Sequence, residues 1–450
     1  MDSQALSNLL WAYARWDVVL PRHLVLGVTG EIGPDGRILK ASGPQALSNI
    51  LWGLARQRCC PDEDWMTAYW EAVHCHTVAM TEERRPEASS GHVRACGRQP
   101  RPMSASELSR VFFAAGKVGA RVPHGSSLMG QLVSHLADKI DELGFAECTH
   151  ALWGLSHLEL RDRDRDGPGG DALREVLLPR WYEHTKRLLD SFVTCSGGDR
   201  RPRMLDGQVL GNALYAVHRL EHPRADEGCS NVGSGGVVAS DRNNSALRSS
   251  WLRSAVTACT ALMEANQMDA QALAVSGLCI AKLDPVSAVA AAADGEWRAA
   301  FAAAVQLRVS SMNSAEVANV VCALSRIRHL PSPGQMVSLT SHVQSEMVRF
   351  KPHELATTLL ALARLSSALG KHEMEMESSQ HVDGSREEAG RQGRWRAVSR
   401  GIWAALLSDA GGWLDSLPPA AVTERDIRVM RRVFQVVGWQ GPLHWLSLRL

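Results

Sequence analysis

Along the chain, apolar positions recur in short blocks that suit one face of a helix. In Gln45-Ala46-Leu47-Ser48-Asn49-Ile50-Leu51-Trp52-Gly53-Leu54-Ala55-Arg56, residues Leu47, Ile50, Leu51 and Leu54 share one side, and Asn49, Trp52 and Arg56 share the other. Variants of this block reappear to the end of the sequence. Aligned on Leu47, their anchors are Leu6, Leu47, Leu108, Cys148, Leu210, Leu273, Val317, Leu355 and, faintly, Ile427. Successive anchors lie 41, 61, 40, 62, 63, 44, 38 and 72 residues apart. A unit of roughly 38–44 residues, lengthened by insertions in four intervals, accounts for every gap, and a helix pair of that size is the unit of helical repeat proteins. Neither helix of such a pair can bury its apolar stripe alone, so the units must stack.

The polar side of the block is patterned too. Two places after the anchor stand Asn8, Asn49, Arg110, His150, Asn212, Val275, Asn319, Thr357 and Val429. Five places after it stand Trp11, Trp52, Phe113, Trp153 and Tyr215, followed by Leu278, Cys322, Leu360 and Arg432. Nine places after it stand Arg15, Arg56, Lys117, His157, Arg219, Lys282, Arg326, Arg364 and Val436. Polar, aromatic and basic residues therefore share one face in the amino-terminal half. Between them, Gly53, Ala55, Ala114, Ala115, Gly154, Ala216 and Ala323 are small enough for close helix approach.

Ala-Leu-Ser-Asn-Leu-Leu-Trp-Ala-Tyr-Ala-Arg at 5–15 and its copy at 46–56 resemble the second-helix signature of the octotricopeptide repeat proteins. These are α-solenoid RNA-binding proteins of green-algal organelles, related to the FAST-kinase-like helical-repeat proteins. The resemblance is strong at 5–15, 46–56 and 146–158, fair at 209–220 and 315–327, and poor at 427–436. It implies an organellar protein, chloroplast first and mitochondrion as the alternative, that acts post-transcriptionally in RNA stability, processing, splicing or translation. The small nuclease-like RAP domain found at the carboxy terminus of several family members is not expected, because the stretch from Val436 to Trp445 is too short and lacks an acidic constellation.

The fold class expected is all-α: a right-handed superhelical α-solenoid of stacked helix pairs, forming one array of about nine units over residues 1–450. First helices are expected at 62–80, marked by Trp65, Tyr69 and Val73; from Leu128 to Ile140; at 171–190; at 251–263; at 297–309; from Met336 to Met347; and at 395–407. Residues 18–28, interrupted by Pro21, supply a shorter one. Polar or Gly-rich stretches at 81–103, 161–171, 193–205, 221–247 and 367–394 read as disordered insertions. Asp284-Pro285 is a natural helix stop.

Charge narrows the function class. Lys and Arg number 49 against 48 Asp and Glu, a formal net charge of +1, so no global field attracts nucleic acid and any RNA contact must use a local face. Residues 391–450 are locally basic, with nine Arg against four acidic residues. Ten cysteines show no disulfide spacing, which suits a reducing compartment. No apolar run is long enough for a membrane span, and neither a signal peptide nor a transit segment precedes Leu6; a truncated start is the favoured reading.

The candidate RNA-binding residues are Asn8, Asn49, Arg110, His150, Asn212, Asn319, Arg56, Lys117 and Arg219, with Trp11, Trp52, Phe113, Trp153 and Tyr215 as stacking or scaffold residues. An Asn amide offers both donor and acceptor to a base edge, aromatic rings stack on bases, and cations attract phosphate. Each has a plainer role as well: the aromatics can fill contacts between units, and the basic residues sit in the last turn, where they complement the helix dipole. Whether first or second helices would face RNA stays open. The expected partner is single-stranded organellar RNA, with ribosomal or other ribonucleoprotein components as the alternative. No membrane insertion, small-molecule substrate, cofactor or enzyme activity is expected. Cys59, Cys60, His74, Cys75 and His76 lack the paired spacing of a zinc site, and Ser, His and acidic residues form no catalytic order.

Overall fold

The structure, a computed structural model, describes residues 3–32, 37–83, 101–122, 128–158, 168–195, 205–222, 239–283, 295–380 and 386–438. These residues are all-α. In chain order the helices are α1 (Ser3–Arg15), α2 (Arg22–Ile32), α3 (Arg37–Ala41), α4 (Pro44–Arg56), α5 (Glu63–Glu83), α6 (Ala105–Val118), α7 (Leu128–Asp138), α8 (Phe145–His157) and α9 (Leu178–Cys195). They continue with α10 (Gly207–Glu221), α11 (Ala239–Glu264), α12 (Ala270–Leu283), α13 (Glu296–Arg308), α14 (Ser314–Arg326), α15 (Pro333–Ser345), α16 (Pro352–Gln380), α17 (Arg386–Ser416) and α18 (Glu424–Val437). A short helical turn, Pro168–Asp171, and a π-helical segment, Ala172–Leu177, lead into α9.

All nine anchors fall in helices, and each is the fourth residue of its helix: Leu6 in α1, Leu47 in α4, Leu108 in α6 and so on to Ile427 in α18. All nine are buried. The repeated block is therefore a repeated second helix with a fixed start. Local chemistry sets that start. Ser104, Asn313 and Thr423 cap α6, α14 and α18, each accepting from the backbone N–H three residues on, while Glu107, Glu316 and Asp426 accept the reciprocal bond. Glu147 makes the acidic half of the same arrangement, accepting from Gly144 N at 3.1 Å.

Two compact units divide the chain: residues 1–205 with 215–254, and residues 206–214 with 255–450. In the first, α4 packs on α1, α6 on α4 and α8 on α6. In the second, α14 packs on α12, α16 on α14 and α18 on α16. First helices pack on the second helix that precedes them and on neighbouring first helices, as α5 does on α4 and α7. Five of their tryptophans are core: Trp65, Trp70, Trp181, Trp251 and Trp297 are buried. Trp70 Nε1 donates to Arg121 O at 3.2 Å and Trp181 Nε1 to Cys148 O at 3.0 Å, so each ring also fixes a second-helix segment or its exit.

The small residues do what close approach requires. A Cβ on Gly154 would lie 2.1 Å from Phe112 O, and one on Gly53 would lie 2.7 Å from the Leu10 Cβ. Gly116 faces Gly154 in the same crossing. Backbones of successive second helices thus meet directly.

Several expected first helices are longer than their patterns. Residues 239–247, read as loop, form the start of α11, and 168–171 are helical. Residues 367–380 continue α16, and 386–394 open α17. The reason is composition: Lys371, Glu373, Met374, Glu375, Met376 and Glu377 are strong helix formers, and a polar surface does not stop a helix that good propensity can extend. Residues 84–100, 161–167, 196–204, 223–238 and 381–385, parts of the other expected insertions, lie outside the described residues, as does Val436–Trp445 beyond Gly438. The expected helix stop at Asp284-Pro285 lies outside the described residues, which carry α12 as far as Leu283.

Candidate nucleic-acid interface

With about 100° of rotation per residue, positions two, five and nine after the anchor fall at about 200°, 140° and 180°, opposite the buried anchor stripe. The structure places them accordingly. None of the nine residues at the fifth place is buried, and none at the ninth place is buried. Trp65, Trp70, Trp181, Trp251 and Trp297 on first helices are core, whereas Trp11 is 44% exposed and Trp52 and Trp153 are partly exposed. The aromatic positions of the second helices are thus held at the surface rather than consumed by the core.

On α6, α8 and α10 these residues join into one row. Phe113 lies 4.6 Å from His150 and 5.2 Å from Trp153, ring centre to ring centre. Trp153 and His157 stack at 3.6 Å, and His157 stacks at 5.6 Å on Tyr215. The His157 ring is oriented by Nδ1, which donates to Trp153 O at 2.8 Å. Five rings from three helices therefore form a continuous aromatic edge. Sequence periodicity points to Phe113, His150, Trp153 and Tyr215; His157 enters as the ring that bridges two helices, and its only sequence signal is its place in the basic ninth-position series.

Two cations flank the row. Lys117 is exposed, and its Nζ sits over the Trp153 ring at 4.8 Å and the Phe113 ring at 5.6 Å. Arg219 donates from Nε to Ser156 O at 2.6 Å and from a terminal nitrogen to the Tyr215 hydroxyl at 3.5 Å. His150 sits against Phe113 and is held below its ordinary value of 6.5, first by burial and then by the Lys117 charge, with Glu147 opposing.

The remaining candidates are more scattered. Asn8 is exposed and accepts from Gln4 at 3.0 Å. Asn49 is only 7% exposed, so its amide lies beneath the surface and not on the accessible edge. Arg110 donates to Ser106 O within its own helix at 3.4 Å. Asn212 accepts from Gln208 at 3.3 Å, and both Asn212 and Asn319 are partly exposed at the sixth place of their helices. Arg56 pairs with Asp17 at 2.5 Å across an exposed surface, a loop partner that periodicity does not reveal.

His76, from the Cys/His group considered for zinc, has both ring nitrogens against carbonyls, Arg101 O and Ser42 O, each at 3.0 Å. His74 meets Gln131 at 2.7 Å. Among the described residues, no group of three or more His, Cys, Asp or Glu could hold a metal, and no helix is long and apolar enough to cross a membrane. Compared with known proteins, the chain matches no family model and no curated protein.

Proposed function

We propose that this chain binds single-stranded RNA along the exposed side of its second helices and acts post-transcriptionally on an organellar transcript. The observation that carries this reading is the ring row Phe113–His150–Trp153–His157–Tyr215 with Lys117 and Arg219 at its flanks. Rings with accessible edges stack on any base, and nearby cations neutralise phosphate, so together they suit an unpaired strand better than a duplex. The near-neutral chain has no global field to concentrate a polyanion, so contact with one falls to a local face. Lys117 acts as a displaceable cover: its ammonium leaves the rings for a phosphate, and a base takes its place. This reading takes the helix pairs as a right-handed superhelical solenoid. It also places the protein in the chloroplast, or in the mitochondrion as the alternative.

A second reading, a structural component of an organellar ribosome or another ribonucleoprotein, draws on a specific feature. Arg219 is already engaged with Ser156 O and Tyr215, and Arg56 with Asp17, so part of the cationic set serves the protein itself. Fluorescence anisotropy with a labelled single-stranded RNA and its duplex separates the two. Direct recognition gives tighter binding of the single strand, and Phe113→Ala with Tyr215→Ala weakens it at least tenfold. Equal affinity of that double variant and the unaltered protein overturns the stacking role.

A further inference from the structure

In the first compact unit, three cations nine places after the anchor are engaged: Arg56 with Asp17, Lys117 over the Phe113 and Trp153 rings, and Arg219 with Ser156 O and the Tyr215 hydroxyl. In the second unit the same place holds Lys282 of α12, Arg326 of α14 and Arg364 of α16. Lys282 is partly exposed, and the two arginines are exposed. Among the described residues, none of the three has a hydrogen bond, an ion pair or a ring contact. Each is the thirteenth residue of its helix, and α12, α14 and α16 pack in succession, so the charges stand in register at the spacing of packed helices, about 8–10 Å. All three act on one atom: each opposes the burial that raises the Cys322 thiol, Arg326 most strongly.

No carboxylate of these helices interrupts the row. Helix α12 has no acidic residue. On α14, and on α16 as far as Arg364, the acidic residues are Glu316 and Glu354, held in the first turn by the backbone N–H of Asn313 and of Lys351 and about 15 Å along the helix from the cation. The helix dipole accounts for a cation in a last turn, as at Lys282 and Arg326. It does not account for Arg364, which lies inside a helix that runs on to Gln380.

We propose that Lys282, Arg326 and Arg364 form a phosphate-binding row for the backbone of single-stranded RNA, a site that rests on the RNA reading above and divides the labour between the two units. The first unit offers rings to bases. In the second, the fifth places are Leu278, Cys322 and Leu360, with no ring for a base to stack on, and what remains is charge. Unpaired cations at a regular step suit a ligand whose anions also recur at a regular step, and a phosphodiester chain does so whatever its sequence. An acidic protein segment, whose carboxylates hang on flexible side chains at irregular intervals, fits less well.

Anisotropy of a labelled single-stranded RNA with the full chain, repeated across a salt series, tests this. Replacing all three cations (Lys282→Gln, Arg326→Gln, Arg364→Gln) should lower the slope of log affinity against log salt by about 2, at about 0.7 for each lost phosphate contact. Arg326→Lys with Arg364→Lys keeps the charge and should keep the slope. A triple variant with an unchanged slope, in a protein that Phe113→Ala with Tyr215→Ala does weaken, overturns the row and leaves the RNA reading standing. An unaltered protein without affinity for the single strand overturns both. Poly-glutamate that binds the row more tightly than RNA of equal charge gives it to an acidic protein and overturns the RNA assignment.

Discussion

Gly154→Ala probes the central crossing of α8 on α6. The added methyl would sit 2.1 Å from Phe112 O, 2.2 Å from Phe112 C and 2.6 Å from Phe113 N. These are backbone atoms of a regular helix, so no rotamer change can relieve the clash. Ordinary contact begins at 3.4 Å, which means that the two helices must part locally by about 1.3 Å, the difference between 3.4 and 2.1. Overpacking of this kind costs about 1–3 kcal/mol, and backbone against backbone belongs at the upper end, about 3 kcal/mol. Replacing a helical Gly by Ala returns about 1 kcal/mol of propensity, leaving a net loss of about 2 kcal/mol. Gly27→Ala in α2 is the control, since a Cβ there meets nothing within 4 Å and the propensity gain stands alone. Urea unfolding followed by tryptophan fluorescence should move the midpoint down for Gly154→Ala and leave it level or raised for Gly27→Ala. If Gly154→Ala is as stable as the control, the close backbone crossing is wrong.

Other outcomes follow from the same geometry. Trp181→Ala should destabilise by about 3–5 kcal/mol, because the ring is buried and hydrogen-bonded to Cys148 O, whereas Trp52→Ala, partly exposed, should cost clearly less in the same unfolding assay. The Glu107 carboxyl is raised by burial but held lower on balance by hydrogen bonds from Ser104 and Arg101. Its contribution is therefore present above the ordinary carboxyl value of 4.5 and lost as pH falls through the depressed folded value; Glu107→Gln should flatten that part of the stability profile. His150 is also depressed, so its neutral state favours the fold above pH 6.5, and acidification below that should cost stability that His150→Gln does not lose. Lys117→Ala should lower affinity for single-stranded RNA and reduce the slope of log affinity against log salt by about 0.7, the value for one lost phosphate contact; an unchanged slope would remove Lys117 from the phosphate path.

Much of the fold was written in periodicity. A buried residue at the fourth place of each second helix is a local property, set by the cap and the 3.6-residue turn, so Leu47 or Val317 announces it without the rest of the molecule. The Gly53 and Gly154 crossings are legible for the same reason, because only a small residue suits a recurring close approach. The extents of α11, α16 and α17 were not, since their polar segments carry no apolar beat to count. The site divides similarly. The fifth-place aromatics were visible, but the His157 bridge, the burial of Asn49 and the Asp17 partner of Arg56 depend on which helix or loop lies alongside, and one helix's pattern does not carry that information.

Crosslinking the protein to RNA in extracts of its native cells, with the crosslinked peptides mapped and the bound RNA sequenced, tests the RNA-binding proposal most directly. Direct recognition predicts an enriched transcript and crosslinks on the peptides carrying Phe113, Trp153 and Tyr215. Crosslinks confined to other surfaces, or an absence of RNA on all three peptides, would contradict it.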